Sequence, residues 1–263
     1  VRPPVPYFGS KASIAARIAT ALPAHQHYVE PYAGGLSVLL AKQPAPLETV
    51  NDLDHELVTF WRVVRDQPEQ LQRAIDLTPH SRAEHTAAYQ PAGDDLETAR
   101  RVWVRLTQGR SGRLDQTGWR YCIADIGTNM PQYLDGYRRR LPPAAERLMG
   151  VQLECRPALD VIAAYGTRTD TLLYVDPPYL GSTRTRGYRH EMRGDDDHRA
   201  LAEVLAVCQA AVVLSGYHSP LYDDLYADWH RTELATGTAN GRTSRARTEV
   251  LWSNRPLAAA IAA

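Results

Sequence analysis

Two prolines placed directly after an apolar run limit what this chain can fold into more than any other feature. In LLYVDPPYL, Asp176, Pro177, Pro178 and Tyr179 follow a run that reads as a buried strand. Consecutive prolines hold φ near −65° twice and remove two N–H donors, so the strand ends in a stiff turn that offers only acceptors. A short apolar strand of this kind fits a sheet covered on both faces, as in α/β proteins.

The rest of the chain agrees with that reading. Strand candidates at His27–Tyr32, Leu47–Asp52, Val151–Cys155, Thr171–Asp176, Ala211–Gly216 and Thr248–Ser253 alternate with helical patterns. Those helices are a Ser10-capped KASIAARIATAL, Leu36–Lys42, Ala158–Tyr165 and His198–Gln209. The alternation predicts a parallel sheet with helical crossovers. Between His55 and Gly150 the strand signal stops, and ELVTFWRVV, LETARRVWVRL and YLDGYRRRL take over. The chain is therefore expected to divide into a unit of residues 1–54 and 151–263 interrupted by a helical insertion, residues 55–150. Inside the insertion, Gln108–Arg120 is rich in glycine, arginine and polar residues and reads as an exposed loop.

Composition excludes several classes. With 44% hydrophobic and 23% charged residues the chain is ordinary globular protein. No apolar run reaches the roughly 18 residues of a spanning helix, and VRPPVPYFGSK lacks the apolar core of a signal peptide, so a soluble, cytoplasmic protein without a membrane partner is expected. Cys122, Cys155 and Cys208 are far apart and lack a second ligand at metal spacing, so no metal is expected. Thirty basic residues balance thirty acidic ones. Bulk charge thus gives no sign of a nucleic-acid partner, although Arg101, Arg105, Arg110, Arg113, Arg120, Arg138, Arg139 and Arg140 concentrate in the insertion.

Ligands of open α/β sheets bind beyond the carboxyl ends of the strands, where Asp176–Tyr179 fall. An exocyclic amine on a nucleobase is a poor nucleophile while its lone pair is delocalised into the ring. The Asp176 carboxylate and the Pro177 carbonyl can each accept one N–H, drawing the nitrogen toward a tetrahedral arrangement for attack on a sulfonium methyl. Losing one such preorganised group typically costs on the order of 10²–10³ in rate. Tyr179 offers a ring face to stack on the base. The plainer reading is that Pro-Pro ends a strand and Asp176 caps the turn. Two further segments favour a site. In HYVEPYAGGLSVLL a strand runs through Gly34 and Gly35 into a helix, where a ligand can approach the backbone, although neither GxGxxG nor GxxxxGKS is matched. TVNDLDHELV ends the next strand with Asp52 and Asp54; an acid there can accept both hydroxyls of a ribose, while Asp54 suits a helix N-cap better than Asp52 does.

Taken together, PYFGSK, VEPYAGGLSV, NDLDHELV, DPPY and TEVLWSN resemble the Dam-like DNA adenine-N6 methyltransferases, the alpha group of the D12 class. The resemblance implies a Rossmann-like, S-adenosylmethionine-dependent methyltransferase sheet with an inserted helical target-recognition domain. It implies methyl transfer to adenine N6 in double-stranded DNA, with S-adenosylhomocysteine as product. It places Tyr7, Lys11, Glu30, Pro31, Tyr32, Gly34, Gly35, Ser37, Asp52 and Asp176 at the cofactor, and Asp176, Pro177, Pro178 and Tyr179 at the target base. Two positions depart from the family pattern. Leu36 stands where the second glycine of the cofactor loop is expected, leaving Gly35 to provide the close approach, and Pro157 stands where an acid often precedes Ala-Leu, leaving the adenine-ring contact unassigned. The resemblance also implies a bacterial or phage-encoded enzyme, with a cognate restriction endonuclease as a candidate partner.

A base inside a duplex cannot reach such a pocket and must be extruded, at a cost of a few kcal/mol. Arg110, Arg113 and Arg120, the cluster Arg138–Arg140, and Arg184, Arg186, Tyr188 and Arg189 after DPPY are the candidates for holding the phosphates, with Arg242, Arg245 and Arg247 as a further group. A solvated surface is the bland account of each. N4-cytosine methylation uses the same amine geometry and stays open, as does a non-catalytic module of the same fold. Cytosine-C5 chemistry needs a cysteine following a proline, and none does.

Overall fold

The computed structural model describes residues 1–122, 129–181, 189, 191–192, 194–236 and 247–258. Among these residues one sheet is formed by β1 (His27–Glu30), β2 (Leu47–Asn51), β3 (Val151–Glu154), β4 (Thr171–Val175), β5 (Ala211–Gly216), β6 (His230–Thr236) and β7 (Arg247–Ser253). Its order is β3-β2-β1-β4-β5-β7-β6. Strands β3, β2, β1, β4 and β5 are parallel, and β7 runs antiparallel between β5 and β6. The chain steps outward from β1 to β3 and then returns to the other side of β1 with β4. The strand order therefore reverses between β1 and β4, where a crevice opens beyond the strand ends in a doubly wound, Rossmann-like sheet.

The α/β class and all six expected strands are present. β6 was missed because it is an edge strand with mostly exposed side chains, of which Leu234 is fully buried, and so it lacks apolar alternation. Strand alternation divides the core between the two faces. Tyr28, Val50, Leu172 and Tyr174 pack with the helices on one side, and Val29, Leu173, Val175 and Trp252 on the other.

Helices α1 (Ala15–Ala21) and α2 (Ser37–Ala41) flank β1 in the chain. Helix α1 starts later than its sequence pattern implies. Ser10 does not cap it; its hydroxyl pairs with that of Ser37 at 2.6 Å, and residues 11–14 form turns ahead of Ala15. Between β2 and β3 lie α3 (His55–Asp66), α4 (Pro68–Asp76), α5 (Arg82–Ala87), α6 (Asp95–Gln108), α7 (Met130–Arg138) and α8 (Leu141–Leu148). The carboxylate of Asp54 caps α3 by accepting from the N–H groups of Glu56 and Leu57 at 3.0 and 3.1 Å. Leu57, Phe60, Trp61 and Val64 then form its buried stripe. Trp61 Nε1 donates to Gly34 O at 3.0 Å, and Arg65 donates to Val151 O at 2.9 Å, so α3 is fastened to the sheet. Beyond β3 come α9 (Ala158–Tyr165), α10 (Asp195–Ala206) and α11 (Pro220–Leu225). Helix α10 begins earlier than expected because Asp195, Asp196 and Asp197 occupy its first turn, where they complement the helix dipole.

The Gln108–Arg120 segment is only partly exposed. It forms a narrow hairpin through a Gly109–Trp119 bridge, and Gly112 O accepts from Phe8 N at 2.8 Å, which lays the tip over the N-terminal segment. No described helix is long and apolar enough to cross a membrane.

Candidate active site

A cavity of about 420 Å³ opens at the β1/β4 switch point. Its wall includes every residue expected around the cofactor: Tyr7, Lys11, Glu30, Pro31, Tyr32, Gly34, Gly35, Ser37, Asp52 and Asp176. The loop after β1 shapes one side. Gly34 has φ of +47°, and the backbone of Leu36 takes φ of +54°, so Leu36 adopts the left-handed conformation that a glycine would hold without strain. Its side chain is fully buried, and that packing compensates. Gly35 also makes room within the protein: a Cβ there would lie 2.9 Å from Cβ of Tyr7.

The acids of the site are held by backbone donors. Asp52 accepts from Gly34 N at 2.9 Å and from Asp54 N at 3.0 Å, which aims its carboxylate across the end of β2. Glu30, buried at the end of β1, accepts from Leu39 N at 2.8 Å and from the Tyr28 hydroxyl. Desolvation pushes its carboxyl up to about 8, against the opposing pull of those two hydrogen bonds.

Lys11 and Asp176 form the centre of the site. Lys11 Nζ donates to both carboxylate oxygens of Asp176, at 2.8 and 2.7 Å, and to Gly9 O at 3.0 Å. Burial raises the Asp176 carboxyl above its ordinary value, and Lys11 opposes the rise. Pro178 also lines the cavity, whereas Pro177 and Tyr179 do not. Tyr179 is 7% exposed; its ring lies beneath Lys11 Nζ at 4.8 Å and edge-on to Tyr217, and its hydroxyl donates to Glu249. Its ring face is therefore not open to a base in this structure.

The expected phosphate ligands separate into two kinds. Arg189 is exposed but anchored by Asp54 at 3.2 Å, by Glu56 and by Leu114 O at 3.2 Å, and Arg113 pairs with Asp115. Both line the cavity. Arg110 is exposed beside the ring of Tyr121, and Arg120 lies 4.8 Å over the ring of Tyr133. Arg138 lies beside Trp103 and Arg140 over Tyr137, while Arg139 is exposed. Arg184, Arg186, Tyr188, Arg242 and Arg245 lie outside the described residues, as does the side chain of Arg247.

Three groups escaped the sequence reading. Glu249 sits buried on β7, accepting from Tyr179 and from Ser215 Oγ at 2.6 Å; a charged residue at an inward position of the apolar strand TEVLW was its signal. Leu53, Pro157, Ala158, Leu159 and Asp160 line the cavity between the ends of β2 and β3. A surface stack also forms, with His80 against Trp119 at 4.6 Å, Trp119 against Tyr121 at 5.6 Å, and Arg82 4.8 Å above Trp119. Its signal was the alternation of arginine with aromatics in GWRY.

A crevice at the switch point, lined by Asp52 at the end of β2 and by the lysine-clamped carboxylate of Asp176, lies where doubly wound α/β sheets take their ligands. The chain belongs to the D12 class N6 adenine-specific DNA methyltransferases, whose family model matches residues 7–93 and 135–239. It is 23% identical to the Type II methyltransferase M1.LlaDCHI of Lactococcus lactis subsp. cremoris, over 97% of this chain and 95% of that protein. Among solved structures it is similar to the precorrin 8W decarboxylase of Methanobacterium thermoautotrophicum, with TM-score 0.39, 10% identity and coverage of 96% of this chain and 95% of that one. A SAM-dependent methyltransferase from Agrobacterium tumefaciens is similar at TM-score 0.39 and 13% identity, over 91% of this chain and 58% of that one. These two likenesses are too loose to bear on function. Membership of the family makes the protein an S-adenosylmethionine-dependent enzyme that methylates adenine N6 in DNA.

The donor set fits that cofactor, which carries a sulfonium and an ammonium: the cavity offers the carboxylates of Asp52, Asp160 and Asp176, the buried acid Glu30, and apolar surface at Leu53, Pro157 and Leu159. Among the described residues no group of three or more histidines, cysteines or acids could hold a metal ion.

Proposed function

We propose that Asp176 and Pro177 accept the two N–H bonds of a flipped adenine, while the cofactor lies along Asp52, the Gly34–Gly35 loop and Glu30. The observation that carries this reading is the placement of Asp176, at the end of β4 on the cavity wall, with both carboxylate oxygens fixed by Lys11. Asp52 is suited to the ribose hydroxyls because backbone N–H groups already orient its carboxylate. Leu53 and Pro157–Asp160 form the wall for the adenine ring, replacing the acid that Pro157 displaces. When bound, S-adenosylmethionine supplies a methyl group activated by its sulfonium and leaves as S-adenosylhomocysteine. Asp176 holds the amine with its lone pair turned toward the cavity, then takes up the proton that the nitrogen loses. Tyr179 stays in place and its ring face must be uncovered to meet the base, because Lys11 and Tyr217 lie against it.

The helical stretch 55–150 is the DNA-facing unit in this reading, with α3 as its footing on the sheet. Its contact surface centres on Arg82, Arg110, Trp119, Arg120 and Tyr121, since Arg113 and Arg189 already have carboxylate partners. Arg184, Arg186 and Tyr188, which follow DPPY in sequence, complete the proposed DNA contacts. The setting is a cytoplasmic modification enzyme of bacterial or phage origin, paired with a cognate restriction endonuclease. Purified protein incubated with methyl-labelled S-adenosylmethionine and mixed-sequence duplex should yield N6-methyladenine in one sequence context. N4-methylcytosine as the product, or no methylated base, would overturn the reading.

A further inference from the structure

The carboxylate of Glu249 is buried behind the catalytic turn and is not itself part of the cavity wall. It receives hydroxyl hydrogen bonds from Tyr179 and from Ser215, and lies 3.9 Å from Lys11 Nζ, the ammonium that clamps Asp176. One lysine therefore stands between two acids, at close range to Asp176 and at longer range to Glu249. We infer that Glu249 is a positioning residue for methyl transfer: it fixes Tyr179 through its hydroxyl and draws part of the Lys11 charge away from Asp176, so that Asp176 keeps the acceptor strength the adenine amine requires.

Physical chemistry supports this division of labour. An ammonium bonded to both oxygens of a single carboxylate weakens that carboxylate as an acceptor for a third donor, and a second acid close by limits the weakening. The groups facing this pair are Lys11 from the N-terminal segment, Glu30 from β1, Tyr174 from β4, and Tyr179 from the turn, with neutral Ser215 from β5. Burial raises the carboxyls of both Asp176 and Glu249, and each is opposed by Lys11.

The inference rests on Asp176 being the amine acceptor, so the test carries Asp176→Ala in parallel. Glu249→Gln keeps the shape and one acceptor oxygen but removes the charge. It should fold, bind S-adenosylmethionine as the parent does, and lose roughly tenfold in kcat, the scale of one charge-assisted hydrogen bond. The acidic limb of its kcat profile should move to lower pH, because Asp176 then has Lys11 to itself. Tyr179→Phe combined with Glu249→Gln should cost less than the product of the two single losses, since both weaken the Tyr179–Glu249 hydrogen bond. An unchanged kcat and pH limb, losses that multiply, or a loss that merely follows thermal stability or cofactor affinity would each sink the inference. An active Asp176→Ala would instead sink the reading of the site beneath it.

Discussion

Asp52 and Arg110 are fixed by opposite means. Asp52 takes two backbone N–H hydrogen bonds at the end of a buried strand, and Glu30 and Asp176 are likewise held by Leu39 N and by Lys11. Arg110, Arg82 and Arg120 rest on aromatic faces, with no carboxylate partner among the described residues. Groups held by backbone donors at a strand end have one geometry before any ligand arrives, which suits chemistry. Guanidinium groups stacked on rings keep N–H donors for phosphate oxygens and can shift as a duplex approaches. Under the proposed function, the same chain separates a preorganised reaction site from an adjustable binding face.

Substitutions should affect the two regions independently. Asp52→Ala should weaken S-adenosylmethionine binding by ten- to a hundredfold, the loss expected for hydrogen bonds to a charged group, with duplex affinity unchanged in calorimetry. If duplex affinity falls equally, the regions are not separate. Replacing Tyr121 and Arg82 with alanine should weaken duplex binding by about tenfold and leave cofactor affinity alone. The slope of log affinity against log salt should become shallower by about 0.9 for each phosphate that is no longer neutralised, and an unchanged slope would remove Arg82 from the DNA face.

A separate expectation concerns pH. Glu30 holds its proton up to about 8 in the folded protein, whereas in the unfolded chain it ionises near 4.5. Between those values the folded state binds more protons, so stability falls as pH rises through that window. Glu30→Gln should flatten this part of the thermal stability profile. A profile of unchanged steepness would show that Glu30 is ionised in the fold.

Six of the seven strands were legible because they are short and mostly apolar, most of them ended by Asp, Gly or Pro, and the cavity acids Glu30, Asp52 and Asp176 because they fall at strand ends. Glu249 escaped because its importance depends on β7 lying beside β5, a pairing between segments far apart in sequence. The left-handed Leu36 escaped for a related reason, since only the packing of its side chain makes that backbone tolerable. The His80–Trp119–Tyr121 stack needs α5 and the hairpin brought together, and spacing along the chain does not carry that information.

Asp176 bears the most weight in this description, and one comparison examines it without intermediaries. Asp176→Ala and the parent protein should bind the same duplex with matching affinity, while methyl transfer by the variant drops by at least about 10²–10³. Methylation at parental rates by the variant would mean that adenine is activated by some other group and that the turn after β4 is scaffold alone.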